Sequence, residues 1–180
     1  MWRIHKDNLD AALDYFRQGY CVVPACWTEG GQCKAPGDKH GLVCKNPGKH
    51  PVIQWKPYQE RLSTEREIRG WWARWPDANV ALVTGRISRL MVLDFDNWDL
   101  LTAHPWYRHW LVSTPVVRTG RGAHVYLRLG RGHPPVKVDI QLTPGTVDIK
   151  GDPGIVIAPP SIHYTGVEYQ RLNEDIEDGA

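Results

Sequence analysis

The sequence lacks a long apolar run, a secretory signal and an excess of either charge. Its 180 residues contain 22 Lys and Arg against 20 Asp and Glu, so the formal net charge is only +2. This balance excludes strongly cationic classes such as histone-like proteins. The longest uncharged stretches, such as 154–167, are interrupted by Pro and Gly and are shorter than the roughly 20 apolar residues that span a bilayer.

The N-terminal residues MWRIHKDNLD contain no apolar core of the kind that signal peptides have. We therefore expect a cytoplasmic protein with no membrane partner and with reduced cysteines. A hydrophobic content of 42% is sufficient for one sizeable core. The expected organisation is one domain over residues 1–172, followed by an acidic tail or linker at 173–180.

Hydrophobic periodicity divides the chain into a helical first part and a strand-rich second part. Helical spacing predicts helices over 9–16 and after Thr64, where Thr64 and Glu67 form a capping box and Pro76 stops the helix. The spacing of Trp71 and Trp75 predicts that both rings pack into the core, whereas the place of the adjacent Trp72 stays open. A strand is expected at 20–24.

From residue 79 onward the period is that of strands. The runs 79–84 and 89–96 are expected to form a hairpin or neighbouring strands, and a Trp-rich helical segment at 98–112 is interrupted by Pro105. Five further short strands are predicted at 114–119, 123–129, 136–142, 146–150 and 154–160. The fold class is therefore α+β with a mostly antiparallel sheet.

Residues 25–50 contain too little apolar surface to form a core of their own. Within them a Cys-Lys-x-Pro-Gly phrase occurs twice, as CKAPGDKH and CKNPGKH. Cys33, His40, Cys44 and His50 could bind one zinc ion tetrahedrally, and Cys26 is the alternative to His40. Because four protein ligands leave no open coordination position, this zinc is expected to be structural and to supply folding energy to the loop.

A second group of candidate metal ligands lies at the end of an apolar strand. The two-residue spacing of Asp94 and Asp96 places both carboxylates on one face of that strand, where they suit Mg²⁺ or Mn²⁺. Alone, such a pair could equally well cap a strand before a loop. The phrase RTGRGAHVYL follows, with a Gly-rich turn before His124, and VDIKGDPG then offers a third acid at Asp148 with Lys150 close by.

These segments, in this order, resemble the catalytic motifs of the archaeo-eukaryotic primase superfamily, and more narrowly the primase-polymerase (Prim-Pol) domain of plasmid, phage and mobile-element replication proteins. The resemblance covers roughly 150 residues and rests on the phrases GYCVVP, GKHP, WWARWPDANVALVTG, LMVLDFD, TGRGAHVYL and VDIKGDPGIVIAPPSIHYTGVEY. It implies an RRM-like catalytic sheet packed on an N-terminal α/β unit, with a zinc-stabilised loop inserted.

The resemblance also implies roles for single residues. Asp94 and Asp96 correspond to the first-motif metal ligands, His124 to the histidine that faces the nucleotide phosphates, and Asp148 to the third catalytic carboxylate. Asp139 is a rival for the third position, because VDIQ repeats the pattern of VDIK, but the family's third motif is followed by a glycine turn and a PPSIH phrase. Zinc-bearing relatives more often use three cysteines and one histidine, which makes Cys26 a rival of His40, although the repeated phrase ranks His40 first.

Several basic and polar side chains are candidates for binding the nucleotide. Fixed donors would contact the triphosphate oxygens, over which the transition-state charge is distributed. The candidates are Arg118, Arg121, His124 and Lys150, with Ser161 and His163 of the PPSIH phrase as further contacts. A turn that ends a strand is the plainer explanation of the PPSIH phrase.

The preferred function is a template-directed nucleotidyltransferase, a DNA polymerase and primase of a replication or mobile-element system. It would use nucleoside triphosphates and a two-metal Mg²⁺ or Mn²⁺ mechanism on single-stranded or primed DNA. A helicase or other replication proteins are expected partners. One alternative is a catalytically silent single-stranded nucleic-acid-binding module with a structural zinc. A third interpretation is a metal-dependent phosphoesterase that uses the same acids.

Overall fold

The computed structural model describes residues 7–37, 44–136, 140–143 as backbone, and 147–173. The helices described are α1 (Asn8–Arg17), α2 (Glu65–Arg74), α3 (Trp98–Ala103) and α4 (Tyr107–Ser113). The strands described are β1 (Cys21–Ala25), β2 (Thr28–Glu29), β3 (Gln32–Cys33), β4 (Asn79–Thr84), β5 (Leu90–Phe95), β6 (Val116–Arg118), β7 (Ala123–Arg128), β8 (Ile140–Thr143), β9 (Val147–Lys150), β10 (Gly154–Ala158) and β11 (Gln170–Arg171).

The strands form two main sheets and a small hairpin. The three-stranded sheet has the order β1-β4-β10, the six-stranded sheet has the order β11-β6-β7-β5-β9-β8, and β2 pairs with β3. All pairings in these sheets are antiparallel. Since β7 lies between β5 and β6, the helices α3 and α4 form the crossover of a split βαβ unit. The strand order β9-β5-β7-β6 is that of an RRM-like sheet, so the predicted fold class is confirmed.

The prediction that 79–84 and 89–96 pair as a hairpin or as neighbours is wrong. β4 pairs through residues 79–83 with β1 on one side and through residues 80–84 with β10 on the other, whereas β5 belongs to the six-stranded sheet. Among the described residues, the link between the two runs is the isolated bridge of Gly85 and Leu90. All six residues of β4 are buried. A strand buried on both faces carries no alternation that could indicate its partners.

The two faces of β5 serve different purposes. Leu90 and Val92 join the larger core, which β1, β4, β10, α1 and α2 also form. Leu93 and Phe95 point the other way and pack with residues of α3 and α4 in a second core. Because side chains alternate along a strand, Asp94 continues the face of Leu90 and Val92 beyond the larger core.

The helix α2 begins at the predicted capping box, in which Thr64 and Glu67 bind each other's backbone. The buried ring on this helix is Trp72, whose Nε1 donates a hydrogen bond of 2.9 Å to the carbonyl of Ala78. Trp71 and Trp75 are only partly buried and pack around the larger core. The prediction for these two rings is thus only partly correct. No helix within the described ranges is long and apolar enough to cross a membrane.

Gly122 allows the turn before β7 to approach the end of β5. A Cβ atom at this position would overlap the backbone carbonyl of Phe95 and lie 2.7 Å from the carbonyl carbon of Asp96. The turn itself is closed by the N–H of Thr119, which donates to the carbonyl of Gly122 at 3.0 Å. A glycine is therefore required here by close contact between two backbones.

Gly122→Ala should lower the free energy of unfolding by roughly 1–3 kcal/mol, because the methyl group has no space between the strands. Gly130 follows β7 at its other end and has open space around the position that a methyl group would take, with no atom within 4 Å, so Gly130→Ala is the matched control. It should change stability by less than about 0.5 kcal/mol. Urea denaturation of both variants measures the difference, and equal stabilities would contradict the close approach.

Candidate active site and metal centre

Three of the predicted site residues lie in one row across the six-stranded sheet. In the strand register, Asp94 of β5 is opposite His124 of β7 on one side and Asp148 of β9 on the other. Residues that are opposite each other in antiparallel strands share a face of the sheet. Nε2 of His124 lies 3.4 Å from Oδ1 of Asp94. The sheet therefore brings together an imidazole and two carboxylates that are far apart in the sequence.

Lys150 neutralises part of the negative charge in this row. Its Nζ lies 3.1 Å from Oδ2 of Asp148 and 4.0 Å from Oδ2 of Asp94. Burial raises the pKa of Asp94, but the charges of His124, Lys150 and Lys49 and the hydrogen bond from His124 outweigh it, so the pKa falls to about 2. Asp94 is therefore ionised at neutral pH, which a metal ligand requires.

The remaining predicted acids are placed differently. Asp96 lies just beyond the end of β5 and is exposed. Asp139 lies outside the described residues, so the choice between Asp139 and Asp148 as the third carboxylate stays open. Oxygen ligands at the end of a strand suit Mg²⁺ or Mn²⁺. In the described parts of the chain, however, the carboxylate oxygens of Asp94, Asp96 and Asp148 do not form a compact group of ligand atoms like that of the three cysteines described below.

A cavity of about 320 Å³ opens onto this row. It is lined by Asn46, Lys49, His50, Asp94, His124, Lys150, Ile155, Val156, Ile157 and Tyr169. The first three of these residues belong to the Cys/His loop, so the loop forms one wall of the cavity. Lys49 and Tyr169 also line the cavity, although neither was a predicted site residue. The GKHP phrase, which was part of the family resemblance, was a signal that could have indicated Lys49.

The two predicted arginines lie on different sides of the turn before β7. Arg118 is exposed, and its guanidinium lies over the ring of Trp98, 5.7 Å from the ring centre. Arg121 is also exposed, but its positive charge acts on His163 and Tyr169, and Tyr169 lines the cavity. Arg121 is therefore the better placed of the two to reach a nucleotide at the cavity.

Ser161 and His163 have contacts that account for them structurally. Oγ of Ser161 is fully buried and accepts a hydrogen bond of 2.8 Å from the N–H of Val80 in β4. His163 is 4% exposed and contacts Oγ1 of Thr165 at 2.8 Å. A Cβ atom at Gly120 would overlap the His163 ring, so the Gly-rich turn lies directly on this imidazole. The position of Ser161 does not support the expected nucleotide contact, and His163 instead supports the turn.

His163 should make the stability of the protein depend on pH. Burial and the charges of Lys49 and Arg121 lower its pKa to about 4. The unfolded chain therefore binds a proton between pH 6.5 and 4 that the folded chain does not, so stability falls as the pH is lowered through this window. For this group the loss between pH 7.5 and 5 is roughly 2 kcal/mol.

The test compares the unfolding free energy of the wild type and His163→Gln at pH 7.5 and pH 5. The variant should lose less stability on acidification than the wild type by roughly 2 kcal/mol, even if it is less stable at pH 7.5. The same loss in both proteins would show that His163 is not the titrating group.

A second site lies in the Cys/His loop. Cys26 directly follows β1, Cys33 ends β3 and Cys44 precedes the turn that leads to His50. The three sulfur atoms lie within 4.8 Å of one another, and all three cysteines are buried. Burial, followed by the neighbouring Cys33, raises the pKa of Cys26 to about 12. Three thiols in this space could hold a metal ion such as zinc, whose charge would favour the thiolate forms.

The compact cluster of ligand atoms among the described residues consists of the three cysteines, and one distance, that to Cys44, fits His50 as a fourth zinc ligand. Nδ1 of His50 lies 3.5 Å from Sγ of Cys44. Zn–S and Zn–N bonds of about 2.3 and 2.0 Å at a tetrahedral angle place sulfur and nitrogen about 3.5 Å apart. The amide group of Asn46 lies 3.3 Å from the other ring nitrogen, as in the outer contacts that orient ligating histidines. His40 lies outside the described residues, and the alternative Cys26 is part of the cluster.

Purified protein should contain one zinc ion per chain by elemental analysis. Cys26→Ser, Cys44→Ser and His50→Ala should each release most of it and lower the melting temperature by roughly 5 °C or more. Cys21→Ser is the matched control and should retain the zinc. Cys21 is also buried, but its Sγ contacts the carbonyl of Tyr58 at 3.3 Å. Full zinc occupancy in Cys26→Ser together with loss in His40→Ala would restore His40 as the ligand.

The comparison with known families agrees with this geometry. A family model described as "Bifunctional DNA primase/polymerase, N-terminal" (Prim-Pol) matches residues 12–179. The matched region contains the acid row, the cavity and the cysteine cluster. A search of curated protein sequences gave no significant match.

Proposed function

Because the chain belongs to the Prim-Pol family, we propose that it is a template-directed nucleotidyltransferase that extends DNA primers and synthesises them in a replication or mobile-element system. Its substrates are nucleoside triphosphates and single-stranded or primed DNA. Residues 1–172 form the catalytic domain, 173–180 form a tail or linker, and a helicase or another replication protein is the partner in the cell.

The observation that carries this proposal is the row of Asp94, Asp148 and His124 beside a cavity. Asp94 and Asp148, together with Asp96 at the end of β5, are the residues that would hold Mg²⁺ or Mn²⁺ ions. Ions held by these carboxylates would supply the positive charge that activates a primer 3′-hydroxyl and offsets the charge of the triphosphate.

The basic residues around the cavity would bind the triphosphate. Lys150 and His124 flank Asp94 at 4.0 and 3.4 Å, so both can turn a hydrogen-bond donor toward a phosphate oxygen. Arg121 would add a charge from the Gly-rich turn. In this arrangement the cations hold the phosphates, and the carboxylates are left for the metal ions.

The zinc site is proposed to be structural. Cys26, Cys33, Cys44 and His50 supply four ligands, so no coordination position remains for water or substrate. Zinc would close the loop between β1 and the 3₁₀ turn at Lys56–Gln59, where apolar residues are few. The loop then contributes one wall of the nucleotide cavity.

The alternative functions differ in what they require of the acids. A silent nucleic-acid-binding module does not need Asp94 and Asp148 opposite each other on neighbouring strands. A phosphoesterase would use the same residues, because hydrolysis and nucleotidyl transfer share the chemistry of two metal ions. The family match favours transfer over hydrolysis.

Primer extension with Mg²⁺ or Mn²⁺ should separate these functions. The wild type should lengthen a labelled primer on a DNA template, and Asp94→Asn or Asp148→Asn should slow extension by roughly a hundredfold or more, because a metal ligand is lost. Asp99 is exposed in the first turn of α3, so Asp99→Asn is the matched control and should extend normally.

Each other outcome identifies a different function. A shortened primer would indicate a phosphoesterase, and bound but unchanged DNA would indicate a silent module. If Asp139→Asn abolishes extension and Asp148→Asn does not, Asp139 is the third acid. Circular dichroism spectra of all variants should match that of the wild type, because removing one charge from a set of repelling acids seldom unfolds a domain.

A further inference from the structure

The last residues of the Cys/His loop, 50–52, are hydrogen-bonded to β1 at the edge of the three-stranded sheet. The N–H of Cys26 donates to the carbonyl of His50 at 2.7 Å, and the N–H of Val52 donates to the carbonyl of Pro24 at 3.0 Å. Ala25 and Pro51 form an antiparallel bridge between these two bonds. The chain that carries His50 therefore runs along β1 as a short additional strand.

The turn just before His50 is held from a second side. The N–H of Lys49 donates to the carbonyl of Asn46 at 3.1 Å, and Gly48 has a left-handed φ of +80°, which closes the turn. Nδ2 of Asn79 on β4 donates to the carbonyls of Gly48 at 3.0 Å and Ile162 at 2.9 Å. One buried amide thus joins the turn to β4 and to the segment after β10.

These contacts place Lys49 opposite the acid row. It lines the same cavity as Asp94, His124 and Lys150, although it comes from a different part of the fold. Its charge acts on both Asp94 and His163. Lys49 takes part in none of the salt bridges among the described residues. Lys49 is exposed, so its side chain is accessible to a ligand.

We propose that Lys49 binds phosphate oxygens of the nucleoside triphosphate, and that the metal-binding loop holds it in position to do so. This inference rests on the proposed function, because it takes the cavity to be the triphosphate site. An ammonium group on a flexible stem is a suitable point charge for phosphate. Lys49 and Lys150 would contact the triphosphate from opposite walls, so that the two cations enclose it.

The inference links two sites that would otherwise be independent. Cys44 and His50 lie on either side of Lys49 in the sequence. Cys44 belongs to the cysteine cluster, and Nδ1 of His50 lies 3.5 Å from its Sγ. With the metal bound, the segment between them has two fixed ends as well as the Asn79 contact. Without the metal, the contacts that hold the turn among the described residues are those with Asn79 and with β1. The side chain of Lys49 should then be less well positioned toward the cavity.

The test measures binding of dATP and of inorganic triphosphate by calorimetry in the presence of Mg²⁺. Lys49→Ala should weaken both by about five- to tenfold, because one charged contact to phosphate is lost. Lys49→Arg should retain most of the affinity. Lys45 is exposed in the same loop and does not line the cavity, so Lys45→Ala is the matched control and should bind both probes as the wild type does.

The role of the loop requires a second measurement on the same proteins. Removing zinc with a chelator should weaken dATP binding by the wild type by a factor of about three or more. In Lys49→Ala, zinc removal should have a much smaller effect on dATP binding, because the side chain that the loop positions is already absent. If zinc removal affects both proteins equally, the loop does not act through Lys49.

Two further results would overturn the inference in different ways. Equal affinities of the wild type, Lys49→Ala and Lys45→Ala for both probes would show that Lys49 does not contact phosphate, while leaving the proposed function intact. A wild-type protein that binds neither probe and does not extend a primer would contradict the proposed function, and this inference with it.

Discussion

The pairing of β5 with β7 and β9 is the constraint on which the proposed chemistry depends. It places Asp94 beside His124 and Asp148, residues that lie 30 and 54 positions further along the chain. Hydrophobic residues on the same strands determine this register, because Leu93 and Phe95 must face α3 and α4. A shift of one residue would bury the carboxylate of Asp94 in the second core. The core that fixes the sheet therefore also fixes the site.

Charge balance is the second condition that the site must satisfy. Partly buried carboxylates at neighbouring positions repel each other, and the ammonium group of Lys150, 3.1 Å from Asp148, offsets this repulsion. Nε2 of His124 lies 3.4 Å from Asp94. In the proposed function, Lys150 and His124 would bind phosphate when the acids hold metal ions, so each would have a negatively charged neighbour with or without substrate. Lys49 adds a positive charge on the opposite wall of the cavity.

The sequence was sufficient to predict most of the local elements and three candidate site residues that the sheet brings together, but not the way in which the loop meets the sheet. Alternation and the DxD spacing identified Asp94, because strand period is a local property. The partner of β4 was not predictable, since a strand buried on both faces shows no alternation. Ser161 is polar and looks available in the sequence, but its hydroxyl bonds to Val80, and Lys49 reaches the cavity through contacts that only the fold creates.

The central claim is that this site joins nucleotides under the direction of a template. The most direct measurement offers the wild-type protein one nucleotide at a time on four primed templates that differ only in the first unpaired base. The account predicts that each primer grows by one residue with the complementary nucleotide, and that growth requires Mg²⁺ or Mn²⁺. Growth that ignores the template base, or no growth with any nucleotide while DNA is bound, would contradict it.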